Sequence, residues 1–224
     1  MLDSEQFANW FYDSFGDKKY ELVQSPDATI DWMPDYWRVC LENPSALNTV
    51  VASHWNRMGF RNSSAIIRDK LSGVKVILEK PSSNYMLAYF FQINGGLYAF
   101  GGGPNVSLEN SGLPAEISSA INPLYTLHNG FLDLGDGQSG WREIGLLQLE
   151  YEKTLDQSPS LLNIFQIGSN SAAIEYGNTT EPKHLLIWAS DEEVEEVEDI
   201  IEEIDEWIAE QIEEFDDAES PPST

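Results

Sequence analysis

The segment from Ser190 to Ser220, SDEEVEEVEDIIEEIDEWIAEQIEEFDDAES, holds seventeen of the chain's 38 acidic residues and no basic one. It is also strongly patterned. Val194, Val197, Ile201, Ile204, Ile208 and Phe215 recur at spacings of three, four and seven, with Ile200, Trp207 and Ile212 beside them. On a helix such spacings fall on one face and form an apolar stripe. The acids then crowd the opposite face, where Glu206 with Glu210, Glu210 with Glu214, and Glu195 with Asp199 repel at i,i+4 by about 0.2–0.5 kcal/mol each. A helix of this kind persists only if its stripe docks, at about 1.5–3 kcal/mol per large side chain buried. The rest of the chain must therefore supply an apolar surface of matching length. Ser190 with Glu193 forms a capping-box pattern and predicts that the helix starts there, with Asp191 and Glu192 at the positive end of its dipole.

The chain upstream offers that surface as strands. GVKVILEK and YMLAYFFQI predict two strands joined by the turn PSSN, and Gly95-Gly96 turns the chain into LYAF, a meander of three. Further on, SLLNIFQIG, SAAIEYG and HLLIWAS predict three more. The expected sheet is antiparallel, with strands near 74–79, 85–93, 97–100, 164–167, 171–176 and 184–189, and helices packed on it. IGLLQLEYEK is expected to be a strand and turn, and FLDLGDGQSGWRE a loop. The predicted fold is α+β, a mainly antiparallel sheet flanked by helices, ending in a long acidic amphipathic helix.

Helical periodicity marks three further stretches. In residues 3–15, Phe7, Trp10, Phe11 and Phe15 share a face and need something to pack on. A second helix is expected to start near Asp35, placing Tyr36, Trp37 and Cys40 inward. SALNTVVASHWNRM puts Leu47, Val50, Val51, His54, Trp55 and Met58 together before Gly59 stops it. Leu113-Pro114 opens another helix, with proline in the first turn where its missing N–H costs nothing, and Pro123 is expected to kink or restart it. The polar, Gly-rich stretch near 101–112 sets the expected boundary. Residues 1–110 form an N-terminal α+β region, apart or sharing one core with residues 111–216, and 217–224 form a disordered tail.

Charge narrows the partners. The formal net charge is −26, from 38 acids against 12 bases. Such a field disfavours nucleic acid and anionic membranes and steers cationic partners. The opening residues are acidic where a signal peptide is basic, and no long uncharged apolar run exists, so the expected location is the cytoplasm. The lone Cys40 has no partner for a disulfide.

Catalytic motifs are not found. The three histidines, His54, His128 and His184, fall into neither H-E-x-x-H nor a triad pattern, and no serine sits in a G-x-S-x-G elbow. His54 lies on an apolar face, and His128 stands at a helix end, where it is expected to cap carbonyls. FGGGPN lacks the Lys and Ser/Thr of a phosphate loop and is expected to be a plain loop. Asp133, Asp136 and Glu143 could serve a hard cation but lack EF-hand spacing. No cofactor and no metal site is expected. Trp141, alone in the polar GQSGWRE beside Arg142, has the composition of an interface anchor.

From Leu113 onward the chain resembles the SUKH superfamily, α+β domains many of which are bacterial immunity proteins. The resemblance rests on the order of the Leu113-Pro114 helix, Tyr125 shortly before Asn129-Gly130, the IFQIG strand entry at 164–168, the SAAIEYG hairpin partner, and HLLIWAS leading into an acidic segment. It spans about 105 residues, just under half of the chain. The resemblance implies a protein without a common catalytic set that binds and neutralises a cognate toxin, often a nuclease. Partner contacts are expected from Trp141, Asp133 and Asp136 and from Glu202, Glu206, Glu210 and Glu213 on the outer face of the acidic helix. Two other readings stand beside it: an adaptor module of the same superfamily, and a metal-dependent hydrolase using Asp133, Asp136 or His128.

Overall fold

The strand NYMLAYFFQI is buried on both faces, and the two sets of side chains enter different cores. Leu87, Tyr89, Phe91 and Ile93 point into the larger one, while Met86, Ala88 and Phe90 point into the smaller. A computed structural model describes residues 4–15, 19–23, 33–94, 96–135, 139–154, 160–177 and 182–217 of the chain; Asp136 and the tail from 218 onward lie outside them. In order, the described elements are α1 (Ser4–Phe15), β1 (Tyr20–Leu22), α2 (Asp35–Glu42), α3 (Leu47–Arg57), α4 (Arg61–Lys70), β2 (Leu71–Glu79), β3 (Asn84–Ile93) and β4 (Gly96–Gly103). They continue as α5 (Ala115–Leu127), β5 (Asn129–Asp133), β6 (Gly140–Trp141), α6 (Ile144–Thr154), β7 (Ser160–Ile167), β8 (Asn170–Tyr176), β9 (Lys183–Trp188), β10 (Glu193–Val197) and α7 (Ile200–Asp217).

The architecture is α+β, with one antiparallel ten-stranded sheet whose strands lie side by side in chain order, β1 to β10. Helices fill three of the connections: α2–α4 between β1 and β2, α5 between β4 and β5, and α6 between β6 and β7. The smaller core lies under α1, whose Phe7 and Phe11 meet Phe90 edge-on at 5.1 and 5.9 Å. This explains the aromatic face of the first helix. The larger core draws on both sides of the 101–112 stretch, from Trp37, Trp55 and Phe60 to Phe131, Trp141, Phe165 and Trp207. Among the described residues no helix is long and apolar enough to cross a membrane.

Several local expectations are corrected. The Gly101–Gly103 run is the end of β4, not a loop. A Cβ on Gly102 would lie 2.4 Å from the His128 ring, and one on Gly101 would lie 2.9 Å from Leu134. The glycines are there because the side chains that flank β5, His128 before it and Leu134 after it, press on the strand. α5 runs through Pro123 unbroken. IGLLQLEYEK is the helix α6, not a strand. Its first free amide, Ile144 N–H, donates to the Asn129 side-chain oxygen at 2.8 Å, a cap supplied from fifteen residues away. FLDLGDGQSGWRE is not all loop, since its ends pair as β5 and β6.

The acidic segment divides. Glu193–Val197 is β10, paired with β9, so Ser190 and Glu193 form no capping box. α7 begins at Ile200, and Asp199 caps it, its Oδ1 accepting from Ile201 N at 2.9 Å and Glu202 N at 3.3 Å. Ile200, Ile201, Ile204, Trp207, Ile208 and Ile212 are buried in the larger core. The side chain of Phe215 lies outside the described residues.

Candidate functional site

The candidate partner residues fall into three places. Glu202, Glu206, Glu210 and Glu213 are all exposed, one helical turn apart on the face of α7 opposite its apolar stripe. β10 extends this surface, since Glu193, Glu195 and Glu196 are exposed too. Glu203 lies where helix and strand meet. Partial burial raises its pKa, and Glu206, Glu195, Glu202 and Asp199 raise it further, so these carboxylates share one local field. The neighbouring cation is Lys183, whose Nζ meets Glu196 at 2.8 Å, a bond that raises the lysine's pKa. Asp205, in contrast, turns inward and is 1% exposed.

Asp133 stands at the end of β5. One of its oxygens accepts from Gly135 N at 2.7 Å and the other from Gln211 Nε2 of α7 at 3.3 Å. The structure thus brings Asp133 beside α7, as a half-buried tie between loop and helix. Asp136 lies outside the described residues.

Trp141 is not a surface anchor. It is fully buried, stacked on Phe131 with ring centroids 4.7 Å apart, and its Nε1–H donates to the His128 carbonyl at 3.1 Å. The polar flanks misled because β6 is only two residues long. Gly140 makes the strand possible: its φ is +130°, and a Cβ there would lie 1.8 Å from the Phe131 carbonyl oxygen.

His128 is likewise an interior residue and caps no helix carbonyl through its ring. Nδ1 lies 2.9 Å from the Gly103 carbonyl oxygen, which can only accept, so the proton sits on Nδ1. Nε2 therefore accepts from the Tyr89 hydroxyl at 2.6 Å, and the Tyr36 hydroxyl lies 3.3 Å from that oxygen. Burial lowers the imidazole pKa to about 4, against a smaller opposing effect of the Gly103 bond. Burial, with a smaller contribution from Arg57, also lowers His54 to about 4, and its ring stacks on Tyr36 at 3.7 Å. Cys40 is buried nearby in the same core, its thiol pushed up to about 12. Among the described residues no group of three His, Cys, Asp or Glu is placed to hold a metal.

A cleft of about 900 Å³ opens beside the β2–β3 turn, bounded by β4, β5, β6 and the start of α6. The sequence did not signal it, because its walls come from six separate segments. Glu79, Asn84, Tyr85, Arg142, Glu143 and Leu146 line it. Arg142 reaches Glu150 at 2.7 Å, while its carbonyl accepts from the Tyr125 hydroxyl at 2.8 Å. Gly130, at φ +76°, lets Glu143 lie over it, since a Cβ there would meet the Glu143 backbone at 3.0 Å.

Comparison with protein-family models, with curated proteins and with solved structures found no match.

Proposed function

We propose that this protein is a cytoplasmic immunity protein that acts without catalysis, binding a cognate bacterial toxin through its acidic surface and so blocking it. The observation that carries this reading is the exposed carboxylate face of Glu202, Glu206, Glu210 and Glu213, continued by Glu193 and Glu195 of β10, where Lys183 matches Glu196 alone. Like charges at helical spacing repel, and the fold tolerates this only because the opposite face of α7 is buried. A toxin that works on nucleic acid presents a cationic surface, and these carboxylates take the place of phosphates while steering association. The order of elements from α5 to α7 supports the likeness of residues 111–216 to SUKH domains, with the acidic C-terminal helix as their closing element.

The test is rescue. The protein is co-expressed with the product of its adjacent reading frame, and survival is compared with that of a variant carrying Glu202→Gln, Glu206→Gln, Glu210→Gln and Glu213→Gln. Folding stays intact in the variant, protection is lost, and the affinity of the native protein falls with ionic strength. Undiminished protection by the variant, or an affinity independent of salt, rejects the acidic face as the binding surface. An adaptor gives no rescue in either form.

A further inference from the structure

The cleft beside the β2–β3 turn carries a second acidic site that is separate from α7. Glu79 and Asn84 face each other across the β2–β3 pair. Ser82 Oγ donates to Glu79 Oε2 at 2.5 Å, and Asn84 Nδ2 donates to Glu143 Oε1 at 3.1 Å. Asn84 N in turn donates to Ser82 Oγ at 3.1 Å. One turn thus orients two carboxylates on the cleft, each through one oxygen, and among the described residues the other oxygen of each accepts no bond. Arg142, the cation among the lining residues, is matched by Glu150. Two negative charges are therefore left over.

Tyr85, Met86, Leu132 and Leu146 give the cleft an apolar and aromatic part, beside the neutral polar side chains of Ser83, Asn129 and Gln166. On α6, Leu146 is 54% exposed and Leu149 51%, although Leu147 between them is fully buried. A half-exposed leucine on a charged cleft, with a second one turn further along α6, has the composition of a protein contact, not of a site for a small polar solute. A side chain that satisfies both parts has an aliphatic stem and a planar cationic head able to bond two carboxylates and lie against a ring.

We propose that this cleft receives an arginine side chain from a protein partner, its guanidinium bonded by Glu79 and Glu143 and its stem covered by Tyr85 and Leu146. This rests on the protein-binding reading only for the owner of the arginine, so a free arginine derivative tests the cleft by itself.

The experiment is a titration of the isotope-labelled full chain with N-acetyl-arginine amide and, separately, with N-acetyl-citrulline amide, its neutral isostere, following backbone amide shifts. The arginine probe is expected to shift Asn84, Glu143 and Leu146 saturably, and citrulline to bind about tenfold more weakly or not at all. Glu79→Gln and Glu143→Gln each weaken the arginine probe by about three- to tenfold while the far-ultraviolet circular dichroism is unchanged. Glutamine keeps an oxygen for the Ser82 or Asn84 bond, so the cleft retains its shape. The four-glutamine variant of α7 leaves the titration unchanged, which separates this site from the acidic face. Equal binding of citrulline, shifts confined to α7 and β10, no saturable shift with arginine, or full affinity in Glu143→Gln would each overturn the proposal.

Discussion

Removing the Asp205 carboxylate tests how differently one helix can use its acids. α4 begins at Arg61 with Phe60 as its N-cap residue, and no side chain of its own caps it. The missing acceptor comes from α7. Asp205 Oδ2 accepts from Asn62 N at 2.7 Å and Oδ1 from Ser63 N at 2.8 Å, while Ser63 Oγ donates to the Asp205 carbonyl at 3.2 Å. These are the second and third amides of α4, where an N-cap side chain normally bonds. Losing an exposed cap costs about 1 kcal/mol, because water replaces it. Here Asp205 is 1% and Ser63 0% exposed, so water cannot enter without rearrangement. Each charge-assisted bond contributes about 1.5–3 kcal/mol, and an unsatisfied buried amide adds to the loss.

Asp205→Ala should therefore cost about 3 kcal/mol, read as a lower urea midpoint at unchanged slope and a melting temperature lower by about 6–12 °C. Its neighbour supplies the control. Glu206 is exposed and lies one turn from both Glu202 and Glu210, so Glu206→Gln should change stability by less than about 0.5 kcal/mol, towards stabilisation. High salt should erase the second effect and leave the first, since only the exposed charges are screened. A loss below about 1 kcal/mol for Asp205→Ala would mean that water replaces the carboxylate, and the tie between α7 and α4 would not be structural.

Two further outcomes are expected. The imidazole of His128 has a folded pKa of about 4, below the ordinary 6.5, so the unfolded chain takes up the proton first. Its contribution is present in full above about pH 6.5 and is lost as pH falls towards 4, by on the order of 3 kcal/mol. Unfolding free energies measured between pH 7 and 4.5 should fall less steeply in His128→Gln, and an unaltered slope would refute the assignment. In Gly102→Ala the new methyl meets the His128 ring and pushes it off Tyr89, costing about 1–3 kcal/mol in the urea midpoint; a loss under about 0.5 kcal/mol would show that the ring has room to move.

What the sequence disclosed follows the range of the forces involved. The continuous apolar run YMLAYFFQI, the face of Phe7, Trp10, Phe11 and Phe15, and the isoleucines of α7 were legible because neighbours in the chain report burial by run or period alone. Where a partner many residues away decides the structure, the local signal pointed elsewhere. RNSSAIIRDK has polar residues in its first turn and is a helix because Asp205 caps it from 143 residues away. IGLLQLEYEK leaves Leu146 and Leu149 half exposed, which breaks its helical period, and a side chain from β5 caps it. EVEEV is a strand by virtue of its pairing with β9, although its acids suit the helix that follows.

The same division runs through the candidate sites. The exposed glutamates of α7 were visible as the complement of an apolar stripe, whereas Trp141 was misplaced because its burial depends on Phe60, Phe131 and Phe165 from three distant parts of the chain. The Glu79 and Glu143 pair had no sequence signature at all, since the sheet register and the Asn84 bond bring them together. Charge counting treats all 38 acids alike. Placement sorts them into a buried cap at Asp205, a helix start at Asp199, a loop tie at Asp133, the exposed carboxylates on the outer face of α7, and the Glu79 and Glu143 pair, in which the β2–β3 turn holds one oxygen of each and leaves the other for a partner.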